Sequence, residues 1–242
     1  MQSSSKYYKK TLKALKKSPL FCNISQSLLE SMMDLFKYEV WPSKRTIMPD
    51  DIKNSFHIII SGRLEITKIN QESGRMIILN MLEAGDGFDL MQLLSSKPCD
   101  GIMQVRDDVE LISVPINTVK QWLIDYPEFN VNFLLYLGKQ MRLVAELAGD
   151  LALHDTETRL ARLIVRHIDK RDLSNIHLEL INDLPHDVLA EMIGSVRIVV
   201  NRQLQHWRKN GIVSLEHGHI HVENLEKLLA LTNQYLLPND VN

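Results

Sequence analysis

The residues best suited to chemistry lie in one basic stretch near the C-terminus. Gly194–Asn210, GSVRIVVNRQLQHWRKN, has four Arg or Lys side chains and no acidic one, although the chain of 242 residues carries a formal net charge of −2. Guanidinium and ammonium groups attract a polyanion such as the phosphates of DNA. Because the whole chain is slightly acidic, any contact with nucleic acid has to come from a local patch of this kind. A solvated basic helix face is the alternative.

The pattern around this stretch predicts two short helices joined by a tight turn, followed by two short strands. Gly194 gives the turn its backbone freedom, and GIVSLEHGHIHVE predicts the strands of a wing. This is the layout of a winged helix-turn-helix, whose second helix fits the major groove of DNA. The predicted packing residues are Val188, Leu189, Met192 and Ile193 in the first helix and Val199, Val200, Leu204 and Trp207 in the second.

The residues that these anchors leave free are candidates for DNA contact. Arginine bonds guanine through O6 and N7, and side chains at the N-terminal end of such a helix meet base edges. We expect Ser195, His206, Arg208 and Lys209 to contact phosphates. The full set of predicted DNA-binding residues is Ser195, Val196, Arg197, Ile198, Asn201, Arg202, His206, Arg208 and Lys209.

Composition excludes several other classes of protein. Cys22 and Cys99 are the two cysteines of the chain, too few for a disulfide framework or for an iron–sulfur cluster held by about four cysteines. No apolar run approaches the ~18 residues of a membrane span, and the polar N-terminus lacks the apolar core of a signal peptide. We therefore expect a cytoplasmic protein with no membrane partner. No nucleophile–base pair or glycine-rich phosphate loop supports an enzyme.

The spacing of apolar residues divides the rest of the chain into helical and β-rich regions. Helical spacing predicts helices in residues 1–36, with Ser25 and Ser27 as candidate N-caps and Leu35 on the apolar face. From 38 to 115, short β-branched runs separated by turn residues and with no helix between them predict a barrel or sandwich. A short helix then ends before Pro127, and a second β-rich run, IHLEL, follows the helix that Asp155 or Thr156 begins.

A long helical segment without an internal proline runs from 127 to 153. Its apolar residues alternate steps of three and four, which is the seam of a coiled coil and predicts a homodimer. A helix packed on its own domain is the alternative, but Phe129, Phe133 and Tyr136 make other faces of the segment apolar as well. The seam residues are Leu134, Leu137, Met141, Val144, Ala148 and Leu151.

These segments resemble the Crp/Fnr superfamily of bacterial transcription regulators, over about residues 15–225. HIIISGRLEI, LEAGDGF and DVELISVP are similar to its β-roll sensor, LHDTETRLARLIV to its helix after the hinge, and LAEMIGSVRIVVNRQLQHWRKNGIV to its DNA-reading head. The resemblance implies an α+β fold with a β-roll and N-terminal helices (1–126), a dimerisation helix (127–153) and a winged helix-turn-helix (154–242). It also implies a homodimer that binds palindromic double-stranded DNA, works with RNA polymerase and is shifted by a bound effector.

By position, Arg197 and Arg202 match the family's base- or backbone-contacting arginines, but Ile198 departs from the family. Relatives that read a common guanine-containing half-site have a glutamate there, which accepts a hydrogen bond from cytosine N4. Isoleucine cannot accept one. It either packs on a thymine methyl group or props the helix. At that base pair we therefore expect this protein to read a different base.

The effector site also departs from the family. Cyclic-nucleotide-binding members have glycine and glutamate where this chain has Asp89 and Leu90, and arginine and serine where it has Cys99 and Asp100. An aspartate repels a cyclic phosphate, so we expect neither cyclic AMP nor cyclic GMP to bind.

Histidines raise two further hypotheses about a cofactor. His57, at the start of a strand, is a candidate haem ligand because haem-binding members exist, although a lone histidine there is more often structural. His217, His219 and His221 alternate on the wing, without a cysteine or acidic pair to complete a metal site. A regulatory module that binds a ligand, haem included, and acts through protein partners is the rival to a DNA-binding regulator.

Overall fold

The computed structural model of this chain describes residues 7–52, 54–95, 101–169, 176, 178–216 and 218–232. Contacts divide the chain into two compact units, Met1–Arg75 with Leu79–Val144 and Met76–Ile78 with Ala145–Asn242. The boundary falls after Val144, inside the longest helix. In the described residues no helix is long and apolar enough to cross a membrane.

In the described residues, the strands of the first unit form two four-stranded sheets. Strand order is β1-β8-β3-β6 in one sheet and β2-β7-β4-β5 in the other. The strands are β1 Lys37–Trp41, β2 Thr46–Ile47, β3 Ser55–Ser61, β4 Leu64–Ile69, β5 Met76–Leu82, β6 Gly87–Phe88, β7 Ile102–Val105 and β8 Val109–Pro115. Apolar residues of both sheets meet in one core cluster, so the predicted barrel or sandwich is confirmed.

Strand β3 explains why this part of the sequence is so apolar. Phe56, Ile58 and Ile60 belong to a cluster that includes the helices of the unit, whereas Ile59 belongs to the cluster between the two sheets. Since side chains alternate along a strand, a strand covered on both faces needs apolar residues at consecutive positions. The run FHIII meets that requirement.

Helices cover the outer face of the first sheet. They are α1 Tyr8–Lys17, α2 Gln26–Met33, α3 Leu90–Ser95, α4 Ile116–Asp125 and the part of α5 (Pro127–Leu153) that lies before Ala145. The face of α5 that carries Phe129, Phe133 and Tyr136 is buried in this unit. The Gly87 N–H donates to Tyr136 Oη at 3.0 Å, and that oxygen lies 3.2 Å from Asp86 Oδ1. Tyr136 thereby fixes α5 to the β5–β6 turn.

The second unit contains the end of α5 and the C-terminal elements. These are α6 Thr156–Arg166, α7 His186–Met192, α8 Arg197–Lys209, β9 Val213–Glu216, β10 His219–Val222 and α9 Leu225–Ala230. Strands β9 and β10 pair as an antiparallel hairpin. Asp155 is the N-cap of α6, because its Oδ1 accepts from the Thr158 N–H at 2.8 Å.

Several local predictions were wrong. Helix α3 lies inside the region in which no helix was expected, and strands β6 and β7 were not identified because they are only two and four residues long. Leu35 is 50 % exposed because α2 ends at Met33, with Ser25 as its N-cap. The predicted strand IHLEL gives only an isolated bridge between Ile168 and Leu178 in the residues described there.

Candidate nucleic-acid interface

Helices α7 and α8 form the predicted helix-turn-helix. The buried side chains that hold the pair are Val188, Leu189, Met192 and Ile193 from the first helix and its end, and Val200, Leu204 and Trp207 from the second. Val199 is half-buried. These are the residues that helical spacing predicted, so the packing of the motif is confirmed.

The turn between the helices depends on Gly194. Its φ is +61°, in the left-handed region that glycine adopts without strain. The Ser195 N–H donates to the Ala190 carbonyl oxygen at 2.8 Å, which closes the turn on the last residues of α7. Helix α8 begins at Arg197, two residues later than predicted, because Val196 is still extended (φ −125°, ψ 149°).

Trp207 ties α8 to α6. Its side chain is fully buried, and its indole N–H donates to Glu157 Oε1 at 2.9 Å. A buried indole N–H needs such a partner, and a carboxylate makes the bond charge-assisted. The contact fixes the rotation of α8 about its own axis, and with it the direction of every exposed side chain on the helix.

That rotation turns a stripe of four residues outward. Ile198, Arg202, Gln205 and Lys209 follow one another at steps of four, three and four, the spacing of one helix face. We call this set the outward stripe. It lies opposite the buried residues of α8. Gln205 is half-buried and the other three are exposed. Helical spacing places Gln205 on this face as well, although it was not among the predicted DNA contacts.

The remaining predicted contacts flank the outward stripe. Arg197, Asn201 and Arg208 are exposed beside it, and Ser195 in the turn is half-buried. Val196, which precedes the helix, is 54 % exposed. His206 is exposed and its Nε2 lies 3.0 Å from the Asn210 amide nitrogen. Helix α8 has no acidic residue, and its basic residues lie in its first two turns (Arg197, Arg202) and its last turn (Arg208, Lys209).

The wing places two of its histidines on one face. His219 pairs with Glu216 and His221 with Ser214 in the hairpin register, while His217 lies outside the described residues. The hairpin is anchored by the Ile220 N–H, which donates to Asn182 Oδ1 at 3.0 Å. In the described ranges no three His, Cys, Asp or Glu side chains are arranged to hold a metal ion.

At the start of α3, Asp89 occupies the position predicted to differ from nucleotide-binding relatives. Its φ is +71° and it is 5 % exposed. Burial raises the pKa of the Asp89 carboxyl to about 6, and a hydrogen bond from the Gln92 backbone opposes the rise. Its Oδ1 is buried without a hydrogen-bond partner. Leu90 is the first residue of α3. Cys99 and Asp100 lie outside the described residues.

His57 is packed inside the β-sheet unit. Its ring is 3 % exposed, stacks on Phe88 at 4.8 Å with an interplanar angle of 9°, and lies 5.6 Å from the Trp41 ring. Burial lowers the pKa of this imidazole to about 4. A ring held between aromatic neighbours has the environment of a core histidine, which supports the structural interpretation over a haem ligand.

The predicted seam of α5 is exposed in the single chain. Leu134, Met141 and Val144 are 59, 66 and 61 % exposed. Leu137 is half-buried, Ala148 is exposed, and Leu151 is 38 % exposed. These residues therefore do not belong to the core of the chain that carries them, whereas Phe129 and Phe133 do.

Two family models match the chain. A Crp-like helix-turn-helix domain matches residues 158–231 and a cyclic nucleotide-binding domain matches residues 44–126. The Global nitrogen regulator of Synechocystis sp. is 24% identical over 221 residues, 89% of this chain and 94% of that protein. The CRP-like cAMP-activated global transcriptional regulator of Mycobacterium tuberculosis is 21% identical over 216 residues, 88% of this chain and 96% of that protein.

The fold has solved counterparts as well. A mutant of CooA from Carboxydothermus hydrogenoformans superposes with a TM-score of 0.71 at 21% identity, over 89% of this chain and 99% of that one. At this identity the likeness concerns the fold alone.

The motif and these matches define the class of protein: a DNA-binding transcription regulator that joins a β-sheet domain of the cyclic-nucleotide-binding type to a helix-turn-helix. Within that class, the chain belongs to the Crp/Fnr superfamily. The resemblance found in the sequence, the α+β fold and the DNA-binding function are thereby confirmed. Both relatives named above are transcription regulators, not enzymes.

Proposed function

We propose that the protein is a homodimer that binds a palindromic promoter site with one α8 in each of two successive major grooves. The observation that carries this proposal is the outward stripe of α8 and its flanks, where arginine and lysine stand without any acidic residue. In a two-fold dimer the half-sites are ~34 Å apart, one turn of DNA. The protein works in the cytoplasm and contacts RNA polymerase at the promoters it regulates.

The dimer is proposed to form along α5. Leu134, Met141 and Val144 are more than half exposed and lie on one seam, and apolar residues in such a row need a partner. A β-carbon on Gly138 or Gly149 would meet no atom within 4 Å, so the same helix also has open positions for a close neighbour. We assign 1–126 to the sensor, 127–153 to the dimerisation helix and 154–242 to DNA binding.

Sedimentation equilibrium of Met141→Glu tests this assembly. A carboxylate from each protomer in an apolar seam is unfavourable, so we expect the variant to be monomeric at concentrations at which the parent is a dimer. Exposed Glu72→Gln lies in the β4–β5 turn and serves as the control. A dimeric Met141→Glu protein would exclude the seam.

Arg197 and Arg202 are proposed to read bases or set the register, and Ser195, His206, Arg208 and Lys209 to contact phosphates. Arg197→Ala should weaken binding to the selected operator by about 1–3 kcal/mol and relax the preference at one base pair. Unchanged affinity and unchanged preference would remove Arg197 from the interface.

The effector is proposed not to be a cyclic nucleotide. The relative from Mycobacterium tuberculosis is named as cAMP-activated, but here a buried Asp89 carboxyl stands where nucleotide-binding members have glycine. Calorimetric titration with cyclic AMP and cyclic GMP should give no saturable heat. Saturable binding of either nucleotide at micromolar concentration would overturn this part of the proposal.

Selection of bound sequences from random duplex DNA tests the function directly. We expect the full-length protein to enrich a palindrome whose half-sites are one helical turn apart. Failure to enrich any palindrome would favour a module that acts through protein partners. If that module binds haem, protein purified from haem-replete cells should show a Soret band in its absorption spectrum.

A further inference from the structure

Ile198 does not pack inside the protein to hold its own helix in place. It is 81 % exposed, the highest exposure of any large apolar side chain in the described part of the chain, and it is the second residue of α8. The helix is anchored instead by Val200, Leu204 and Trp207, which are fully buried. Of the two interpretations that the sequence leaves open, packing inside the protein is therefore wrong.

The position of Ile198 makes its exposure informative. It heads the outward stripe, with Arg202 one turn further along the same face. The first turn of a recognition helix is the part that meets base edges in the major groove. An apolar side chain at that point is buried only when DNA binds, and a polar group opposite it would lose its water without gaining a hydrogen bond.

One base has a methyl group at its major-groove edge. Guanine, adenine and cytosine present donors, acceptors and ring C–H groups there, whereas thymine adds its 5-methyl group. Isoleucine has neither a donor nor an acceptor, so it discriminates through that methyl group or not at all. Val196, 54 % exposed just before the helix, adds apolar surface at the same end.

We infer that Ile198 selects thymine at one position of each half-site by packing on its 5-methyl group. The inference rests on the proposed function, since it requires that α8 enter the major groove. It adds the identity of one base pair and the atom by which that base is recognised. Arg202, on the same face, bonds a neighbouring base or phosphate and sets the register of the contact.

The test replaces each thymine of the selected operator in turn, symmetrically in both half-sites, by deoxyuridine, which lacks only the 5-methyl group. We expect one thymine position at which the substitution weakens binding by about fourfold per half-site, the effect of removing one buried methyl group. In Ile198→Ala the penalty at that position should fall below about twofold. Ile124→Ala removes an isoleucine that is 76 % exposed on α4, and it should keep the full penalty.

Selection with Ile198→Glu gives a second readout. A carboxylate accepts from cytosine N4, so the preferred base at the same position should change from thymine to cytosine. An operator that tolerates uracil at every thymine, a penalty that persists in Ile198→Ala, or an unchanged preference in Ile198→Glu would each overturn the inference while DNA binding stands. If no palindrome is enriched at all, both this inference and the proposed function fail.

Discussion

Gly194 lies directly against Leu151: a β-carbon on Gly194 would be 2.7 Å from Leu151 Cδ2. Gly194 forms the turn of the helix-turn-helix, and Leu151 belongs to the last turn of α5. Both residues are in the second unit of the chain. Glycine is therefore needed at this turn for two reasons, its positive φ and the absence of space for any side chain.

Gly194→Ala should destabilise the DNA-binding unit by two separable amounts. The left-handed backbone costs alanine about 1–2 kcal/mol, and the contact with Leu151 adds about 1–3 kcal/mol of overpacking. Gly211→Ala is the matched control, because Gly211 has φ +64° and nothing within 4 Å of an added β-carbon. Chemical denaturation of both variants measures the free energy of unfolding. Equal losses of unfolding free energy in the two variants would show that Leu151 moves aside without an energetic cost. Adding Leu151→Ala should restore stability to Gly194→Ala but not to Gly211→Ala.

A buried carboxylate joins α5 to α6 by ion pairs. The Asp150 side chain is 3 % exposed, and its Oδ1 accepts from Arg162 Nε at 2.5 Å while its Oδ2 lies 2.7 Å from Arg166 Nη2. Removing one partner of a buried pair leaves the other charge without compensation. Asp150→Ala should therefore lower the free energy of unfolding by about 2–3 kcal/mol.

A double-mutant cycle distinguishes the two arginines. Arg162 is 15 % exposed and Arg166 is 28 % exposed, so solvent screens the second pair more. The coupling energy of Asp150 with Arg162 should exceed that with Arg166, as measured by urea denaturation. The reverse order, or two couplings near zero, would contradict a buried Asp150 that pairs most strongly with the more buried arginine.

Lys209 should act on affinity without acting on sequence preference. It closes the outward stripe at the far end of α8 from Ile198, and it is exposed. A lysine that neutralises one phosphate in each half-site contributes about 0.9 to the slope of log K against log[salt], or about 2 in a dimer. Lys209→Gln should weaken binding to all sequences alike and flatten the slope by that amount. Lys37→Gln changes an exposed lysine of β1 and is the control. An unaltered slope would exclude Lys209 as a phosphate contact.

Local patterns predicted the DNA-binding unit well. The steps of three and four among Val200, Leu204 and Trp207 determine which face of α8 is buried, and the same steps locate the outward stripe. The N-cap of α6 was predicted as Asp155 or Thr156, because a short polar side chain at the N-cap accepts a hydrogen bond from a backbone N–H in the first turn of the helix. These features depend on residues close together in the chain, so they can be predicted from the spacing of residues in the sequence.

Features set by distant residues were not predictable in the same way. Asp150 pairs with arginines 12 and 16 positions away, and no pattern indicates that pairing before α5 and α6 are placed together. The burial of His57 depends on Phe88, which lies on a different strand. Helix α3 was missed because six residues are too few for a helical period to stand out from a β-rich region.

Asp89 should make stability fall as the pH rises from about 4 to about 6. Its pKa is raised by burial from an ordinary value of 3.8 to about 6, so in that window the folded protein holds a proton that the unfolded chain has released. The folded state is favoured below the window and loses this contribution, up to about 3 kcal/mol, once the pH exceeds 6.

Asp89→Asn isolates the effect of that carboxyl group. Asparagine tolerates the left-handed backbone at φ +71° and does not titrate, so the variant should be more stable than the parent at pH 7–8 and similar to it near pH 4. Urea denaturation of both proteins across this range gives the difference, in which the other titrating groups cancel. Asp34→Asn, at an exposed aspartate, is the matched control. A constant difference between Asp89→Asn and the parent at every pH would contradict a buried carboxyl group that becomes charged only near pH 6.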